Sequence, residues 1–119
     1  MIEITHDFAF EAAHRLPQVP PTHKCSRLHG HSYKVRITMR GELDPVMGWF
    51  IDFGDLEAAV HPVIKQLDHY LLNDIEGLSN PTSEILAQWM FDRLVPALPQ
   101  LHAVTVSETT DSNATYWRD

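Results

Sequence analysis

Apolar and polar side chains alternate along the first stretch of the chain. From Ile2 to His14, residues Ile2, Ile4, Phe8, Phe10, Ala12 and His14 fall on one side of an extended backbone, because a strand sends successive side chains to opposite faces. The run from His29 to Gly41 repeats the pattern, with His29, His31, Tyr33, Val35, Ile37 and Met39 on one side and Lys34, Arg36, Thr38 and Arg40 on the other. Two strands are predicted, and the connection between them holds Pro17, Pro20 and Pro21, so it is irregular and long. Residues 43–48 read as a turn and residues 49–52 as a short return strand, after which Asp55 is positioned to cap a helix. In that helix Leu56, Ala59, Val60, Val63, Ile64 and Leu67 recur at helical spacing, and Pro62 predicts a kink or a break. A second helix starts at Asn80-Pro81-Thr82-Ser83 and carries Ile85, Leu86, Trp89, Met90 and Leu94 on its apolar stripe, ending before Pro96 and Pro99. Residues 104–106 form a third strand, residues 111–113 a turn and residues 114–117 a fourth strand. The order strand, strand, helix, helix, strand, strand predicts an α+β fold, a four-stranded antiparallel sheet with two helices packed on one face.

At 119 residues, the chain is predicted to be a single domain over its whole length. Small domains have much surface for their volume, so assembly into a homo-oligomer would help stability. A 44% hydrophobic content with 21% charged residues is globular, and the lack of a long apolar run argues against a membrane span. The opening residues carry neither the basic region nor the apolar core of a secretory signal. With a single cysteine, Cys25, no intrachain disulfide is possible, and the expected compartment is the reducing cytoplasm.

The net charge of -7 conceals an asymmetry. Six of the nine basic residues, Arg15, Lys24, Arg27, Lys34, Arg36 and Arg40, lie in the first forty positions beside only three acids. An acidic chain is a poor nucleic-acid binder, yet a local basic patch can hold a small anion. Lys34, Arg36 and Arg40 alternate outward and read as a solvated strand face, whereas Lys24 and Arg27, on the loop beside His29, are candidates for substrate phosphate.

Chemistry concentrates in Cys25-Ser26-Arg27-Leu28-His29-Gly30-His31. Histidines at i and i+2 of a strand stand side by side, and a neighbouring strand delivering His14 completes a cluster of three imidazoles. That is a ligand set for catalytic zinc, with three protein ligands and an open fourth position. Cys25 has two possible roles: it could close the shell as a fourth ligand, or stand just outside it, where the cation favours the thiolate and makes it a base. Asp68 and His69 put an acid beside a histidine at the end of the first helix, a weak signal by itself. Glu108 alternates with Val104 and Val106, so its carboxylate points inward at a strand end and requires a partner, such as the adjacent ring N–H groups of a guanidine-like heterocycle.

Taken in order, Phe10-Glu11-Ala12-Ala13-His14, Cys25-x-x-x-His29-Gly30-His31-x-Tyr33, Gly48-x-x-x-Asp52-Phe53, Leu67-Asp68-His69-x-x-Leu72-Asn73, Asn80-Pro81-Thr82-Ser83-Glu84 and Glu108-Thr109 span almost the whole chain. With these elements the sequence resembles the 6-pyruvoyl- and 6-carboxytetrahydropterin synthase family of the T-fold. The three-residue gap between Cys25 and His29 is similar to that of the bacterial 6-carboxy branch. The resemblance implies that His14, His29 and His31 bind Zn2+, that Cys25 is the proton acceptor, and that His69 with Asp68 relays charge. It also implies that Glu108 anchors the pterin ring and joins the relay, with Thr82 and Glu84 among the substrate contacts. The implied substrate is the small-molecule pterin 7,8-dihydroneopterin triphosphate. The implied products are 6-carboxy-5,6,7,8-tetrahydropterin, acetaldehyde and triphosphate, on the route to the modified tRNA nucleoside queuosine, without contact to tRNA itself. A hexamer of stacked trimers is implied as well. The competing expectations are the 6-pyruvoyl reaction, which eliminates triphosphate without breaking the carbon chain, and a non-catalytic zinc module closed by Cys25. A cupin-like site is disfavoured, because the carboxylate such sites place shortly after His-x-His is missing: position 35 is valine.

Overall fold

The computed structural model describes residues 1–119. Strands β1 (Ile2–His14) and β2 (His29–Gly41) are antiparallel and paired along their full 13-residue length, from Ile2 opposite Gly41 to His14 opposite His29. Strands β3 (Leu101–Thr109) and β4 (Ser112–Trp117) complete an antiparallel sheet in the order β1-β2-β3-β4. Helices α1 (Phe53–Leu67) and α2 (Ser83–Leu94) connect β2 to β3. The inward positions Phe8, Phe10, Tyr33, Val35, Ile37, Val104 and Val106 share one buried core with Leu56, Val60, Leu67, Leu86, Met90 and Leu94 of the helices. The other face of the sheet carries the charged residues, with Arg36 paired to Asp7 and Arg40 to Glu3, each at 2.8 Å.

Residues 44–48 form the anticipated turn: the Asp44 carboxylate accepts from the Val46 and Met47 amides, and Gly48 takes a positive φ of 77° that glycine adopts readily. Residues 49–52 are not a strand. Phe50 lies over Gly41, where a Cβ would come within 2.7 Å of its ring, so packing directs this segment into α1 and no neighbouring strand pairs with it. The cap of α1 is Asp52, and Asp55 sits inside the first turn, where its charge complements the helix dipole. Pro62 leaves α1 unbroken. Ala58, whose carbonyl loses the proline N–H, is exposed together with Pro62, so water can satisfy it. On α2 the stripe is rotated from the expected one: Ile85 is exposed and Phe91 is buried.

Candidate metal centre

His14 ends β1 and His29 begins β2, so their pairing in the ladder brings the two imidazoles together, and His31 follows on the same face two residues on. The ligand-type nitrogens of the three histidines lie within 4.8 Å of one another. His14 Nε2 is 3.1 Å from His29 Nε2. In a tetrahedral site with bonds of about 2.0–2.1 Å, two donor nitrogens stand about 3.4 Å apart, close to that spacing.

Hydrogen bonds behind the rings select which nitrogens face each other. His14 Nδ1 donates to the Pro81 carbonyl at 2.8 Å, and His29 Nδ1 donates to the Arg27 carbonyl at 2.7 Å. With Nδ1 donating on both rings, the two Nε2 atoms are left facing one another as acceptors, an arrangement that a cation between them would satisfy. His31 Nε2 is buried and has no hydrogen-bond partner, and an orphaned buried polar atom requires an explanation. Burial lowers the pKa of His14 and of His31, keeping both rings neutral, as metal ligation demands. Donor set, tautomers and orphaned nitrogen all fit a divalent transition metal held by three imidazoles.

Glu108 borders the trio, with its oxygens 3.6 Å from His31 Nε2 and 4.0 Å from His14 Nε2. Its position follows from an irregular stretch of β3, whose ladder with β4 shifts register between Val106 and Thr109. Such bulges re-aim side chains beside sites. Tyr33, buried in the layer beneath, has its hydroxyl 3.2 Å from His14 Nδ1, and burial pushes its pKa upward so that it stays neutral.

Cys25 lies outside the donor triangle. It sits in a single 3-10 turn (Lys24–Ser26), where its amide donates to His23 Nδ1 and its carbonyl accepts from Leu16 N–H. The thiol faces a cavity of about 510 Å³ lined also by Lys24, Arg27, His29, His31 and Glu108. Cys25 thus borders the cavity of the histidine trio without belonging to the donor triangle.

Asp68 and His69 stand at the free edge of β1. The Asp68 carboxylate accepts the Glu11 amide at 2.9 Å and lies 3.0 Å from His69 Nδ1, contacts that hold its pKa below the usual carboxylate range. His69 adopts a left-handed φ of 64°, uncommon for a non-glycine residue, and its side chain is 76% exposed. His69 lines a cavity with Glu11, Ala13, Ser32, Tyr70 and His31, one of the three histidines of the trio. The backbone of His69 is anchored on Glu11 of β1, and that of Cys25 on Leu16, two residues past the end of the strand.

Thr82 caps α2 by accepting the Ile85 amide at 3.1 Å, and α2 thus begins directly behind the Pro81 carbonyl that holds His14. Glu84, in the first turn, lines a small polar cleft with Ser83, Ser112 and Asn113. The carbonyls of Pro81 and Arg27 and the Tyr33 hydroxyl were missed by sequence reasoning. Only Tyr33 left a signal, its place on the inner face of β2.

Sheet, helices and histidine trio define a metal-site protein of the T-fold class. The chain belongs to the family described as 6-pyruvoyl tetrahydropterin synthase, which it matches over residues 3–119. It is 44% identical to a 6-carboxy-5,6,7,8-tetrahydropterin synthase of Synechocystis, with 96% of this chain and 92% of the relative aligned. A Bacillus subtilis protein of the same description is 34% identical over 96% of this chain and 84% of its own length. The solved structure of the Caenorhabditis elegans 6-pyruvoyl tetrahydropterin synthase superposes with a TM-score of 0.90 at 30% identity, covering 99% of this chain and 96% of that one.

Proposed function

We propose that the protein is a zinc-dependent carbon–carbon lyase that converts 7,8-dihydroneopterin triphosphate into 6-carboxy-5,6,7,8-tetrahydropterin, acetaldehyde and triphosphate, supplying queuosine formation in the cytoplasm. The observation that carries this reading is a three-imidazole centre with a thiol on the same cavity but outside the ligand set. His14, His29 and His31 would hold zinc, for which neutral imidazoles and an open fourth position are the usual catalytic arrangement. When bound, zinc supplies a Lewis acid that acidifies the side-chain hydroxyls of the substrate and the carbon next to them.

Cys25, as thiolate, takes a carbon-bound proton on one face of the side chain. His69 handles protons on the other face. Asp68 receives the Nδ1 proton of His69 in a hydrogen bond and so leaves Nε2 pointing outward. Loss of triphosphate, and addition of one water that supplies the second carboxylate oxygen, accompany cleavage of the bond between the first and second side-chain carbons, which releases the outer two carbons as acetaldehyde. Glu108, its carboxylate beside His14 and His31 on the cavity shared with Cys25, anchors the pterin ring and joins the relay. Thr82 and Glu84, at the start of α2, are further substrate contacts. Lys24 and Arg27 border the thiol cavity as phosphate contacts.

The reading includes a homo-oligomer, a hexamer of two trimers in keeping with the T-fold resemblance, in which the His69 dyad of one subunit serves the Cys25 of another. The attachment of His69 to the free edge of β1 supports this, as does the unpaired outer edge of β4. The test is to incubate zinc-loaded protein with 7,8-dihydroneopterin triphosphate, trap acetaldehyde and identify products by mass spectrometry. A carboxytetrahydropterin with acetaldehyde is the expected outcome. A pyruvoyl product without acetaldehyde would reassign the chain to the sister reaction, and no turnover by metal-replete protein would overturn the catalytic reading.

A further inference from the structure

Strands β2 and β3 are paired from Met39 and Leu101 as far as Lys34 and Ser107, where the ladder stops. Beyond it the two strands part: residues 30–33 pair only with β1, and Thr109, at the end of β3, pairs only with Ser112 of β4, although β2 and β3 both lie inside the sheet rather than at its edge. A gap between two interior strands leaves backbone groups on both rims needing partners and joins the two faces of the sheet. It forms a cavity of about 480 Å³ without a single hydrophobic lining residue. His31 and Glu108 stand on its inner lip beside the metal centre, and Lys34 and Ser107 on its outer lip.

We infer that this slot is an oligophosphate subsite in which Lys34, with Ser107 and Thr110, receives the phosphate tail of a substrate held at the metal centre, an inference that rests on the pterin triphosphate reading above. By alternation alone Lys34 is a solvated strand residue like Arg36 and Arg40, but its surroundings differ. Arg36 and Arg40 are committed to Asp7 and Glu3. Lys34 has no such carboxylate partner. Of the neighbouring acids, Asp7 is engaged with Arg36 through two contacts and Glu11 with the Ser32 hydroxyl at 2.7 Å, while Glu108 stands on the opposite, inner lip beside the histidines and forms no ion pair with Lys34. Thr109 donates to Asp111, whereas Ser107 and Thr110 keep their hydroxyl protons free for an acceptor.

Away from His31 the slot has no apolar or aromatic side chain to wall a heterocycle, and its lysine and hydroxyl groups suit a hydrated polyanion. Reach is adequate: Lys34 follows His31 by three residues, about 10 Å of strand, and its side chain can extend back toward the metal. The slot shares His31, Glu108 and Thr109 with the thiol cavity. A ligand at the metal therefore meets two routes for its tail, one past Lys24 and Arg27 and one past Lys34.

Titrating inorganic triphosphate into metal-loaded protein by calorimetry, with metal content checked afterwards because the probe chelates, separates these routes. Lys34→Ala should weaken triphosphate binding by about tenfold or more, the usual value of one charge-assisted hydrogen bond. Lys34→Arg should restore most of it, and the affinity for unphosphorylated 7,8-dihydroneopterin should not change. Equal triphosphate affinity in wild type and Lys34→Ala, or a loss confined to Lys24→Ala and Arg27→Ala, would overturn the subsite, as would a wild type that binds no triphosphate. Wild type that binds triphosphate through Lys34 but takes no 7,8-dihydroneopterin would keep the subsite and sink the pterin reading instead.

Discussion

At the scale of the residue, what matters is which nitrogen of each ring carries a proton. His14 and His29 are fixed by carbonyls behind them, and the pKa of His14 and His31 is lowered chiefly by burial, so no deprotonation is needed to receive a metal near neutrality. Two variants separate ligand from base. His29→Ala should lose zinc and activity together, because two imidazoles and water hold the ion far more weakly. Cys25→Ala should keep one zinc per chain, read by atomic absorption, while turnover disappears. Zinc lost from Cys25→Ala would make the thiol a ligand, and stoichiometric zinc in His29→Ala would remove the three-histidine site. The trio was legible because strand alternation is a strict period of two, so three histidines in two short runs had to share a face. The carbonyls of Pro81 and Arg27 were not, since every residue has one and only the fold decides where it points.

At the scale of the element, one helix start serves two ends. Thr82 caps α2 through the Ile85 amide, and the preceding residue, the buried Pro81, offers its carbonyl to His14. Thr82→Ala should therefore cost about 1 kcal/mol of stability in urea denaturation. It should also loosen zinc by roughly tenfold, as changes to the partners of metal ligands do. Thr82→Ser should preserve both. A stability loss without any change in zinc affinity would mean that the cap and the metal are independent. Capping chemistry made this element readable from Asn80-Pro81-Thr82-Ser83. The segment 49–52 was misread for a different reason: its β-prone residues are used to cover Gly41 and turn into α1, a tertiary demand that local propensity does not contain. Pro62 was misread because the cost of proline depends on whether the carbonyl it abandons reaches water, and Ala58 lies on the exposed side of α1.

At the scale of the whole molecule, the subunit is extended, 57 Å in its longest dimension with a radius of gyration of 15.5 Å, against about 13.5 Å for a compact chain of this length. Both edges of the sheet are open. β4 presents an edge with no charged residue between Ser112 and Trp117, and β1 is covered on its outer side only near Glu11 and Ala13. Long uncharged edges are normally protected, and a second copy of the chain is the simplest cover, pairing the β4 of one subunit with the β1 of the next. Such pairing would carry the His69 dyad, which stands on the free side of β1, toward a neighbour and away from its own Cys25. Mixing two inactive variants tests this. In a hybrid oligomer of Cys25→Ala and His69→Ala chains, a site formed between subunits draws its thiol from one variant and its imidazole from the other. Random assembly of equal amounts then restores about one quarter of wild-type activity, since each intact half is supplied with probability of about one half. If both groups came from one chain, every site in the mixture would lack one of them. Mixtures refolded together that stayed inactive, while each variant assembled and bound zinc normally, would return the dyad to its own subunit.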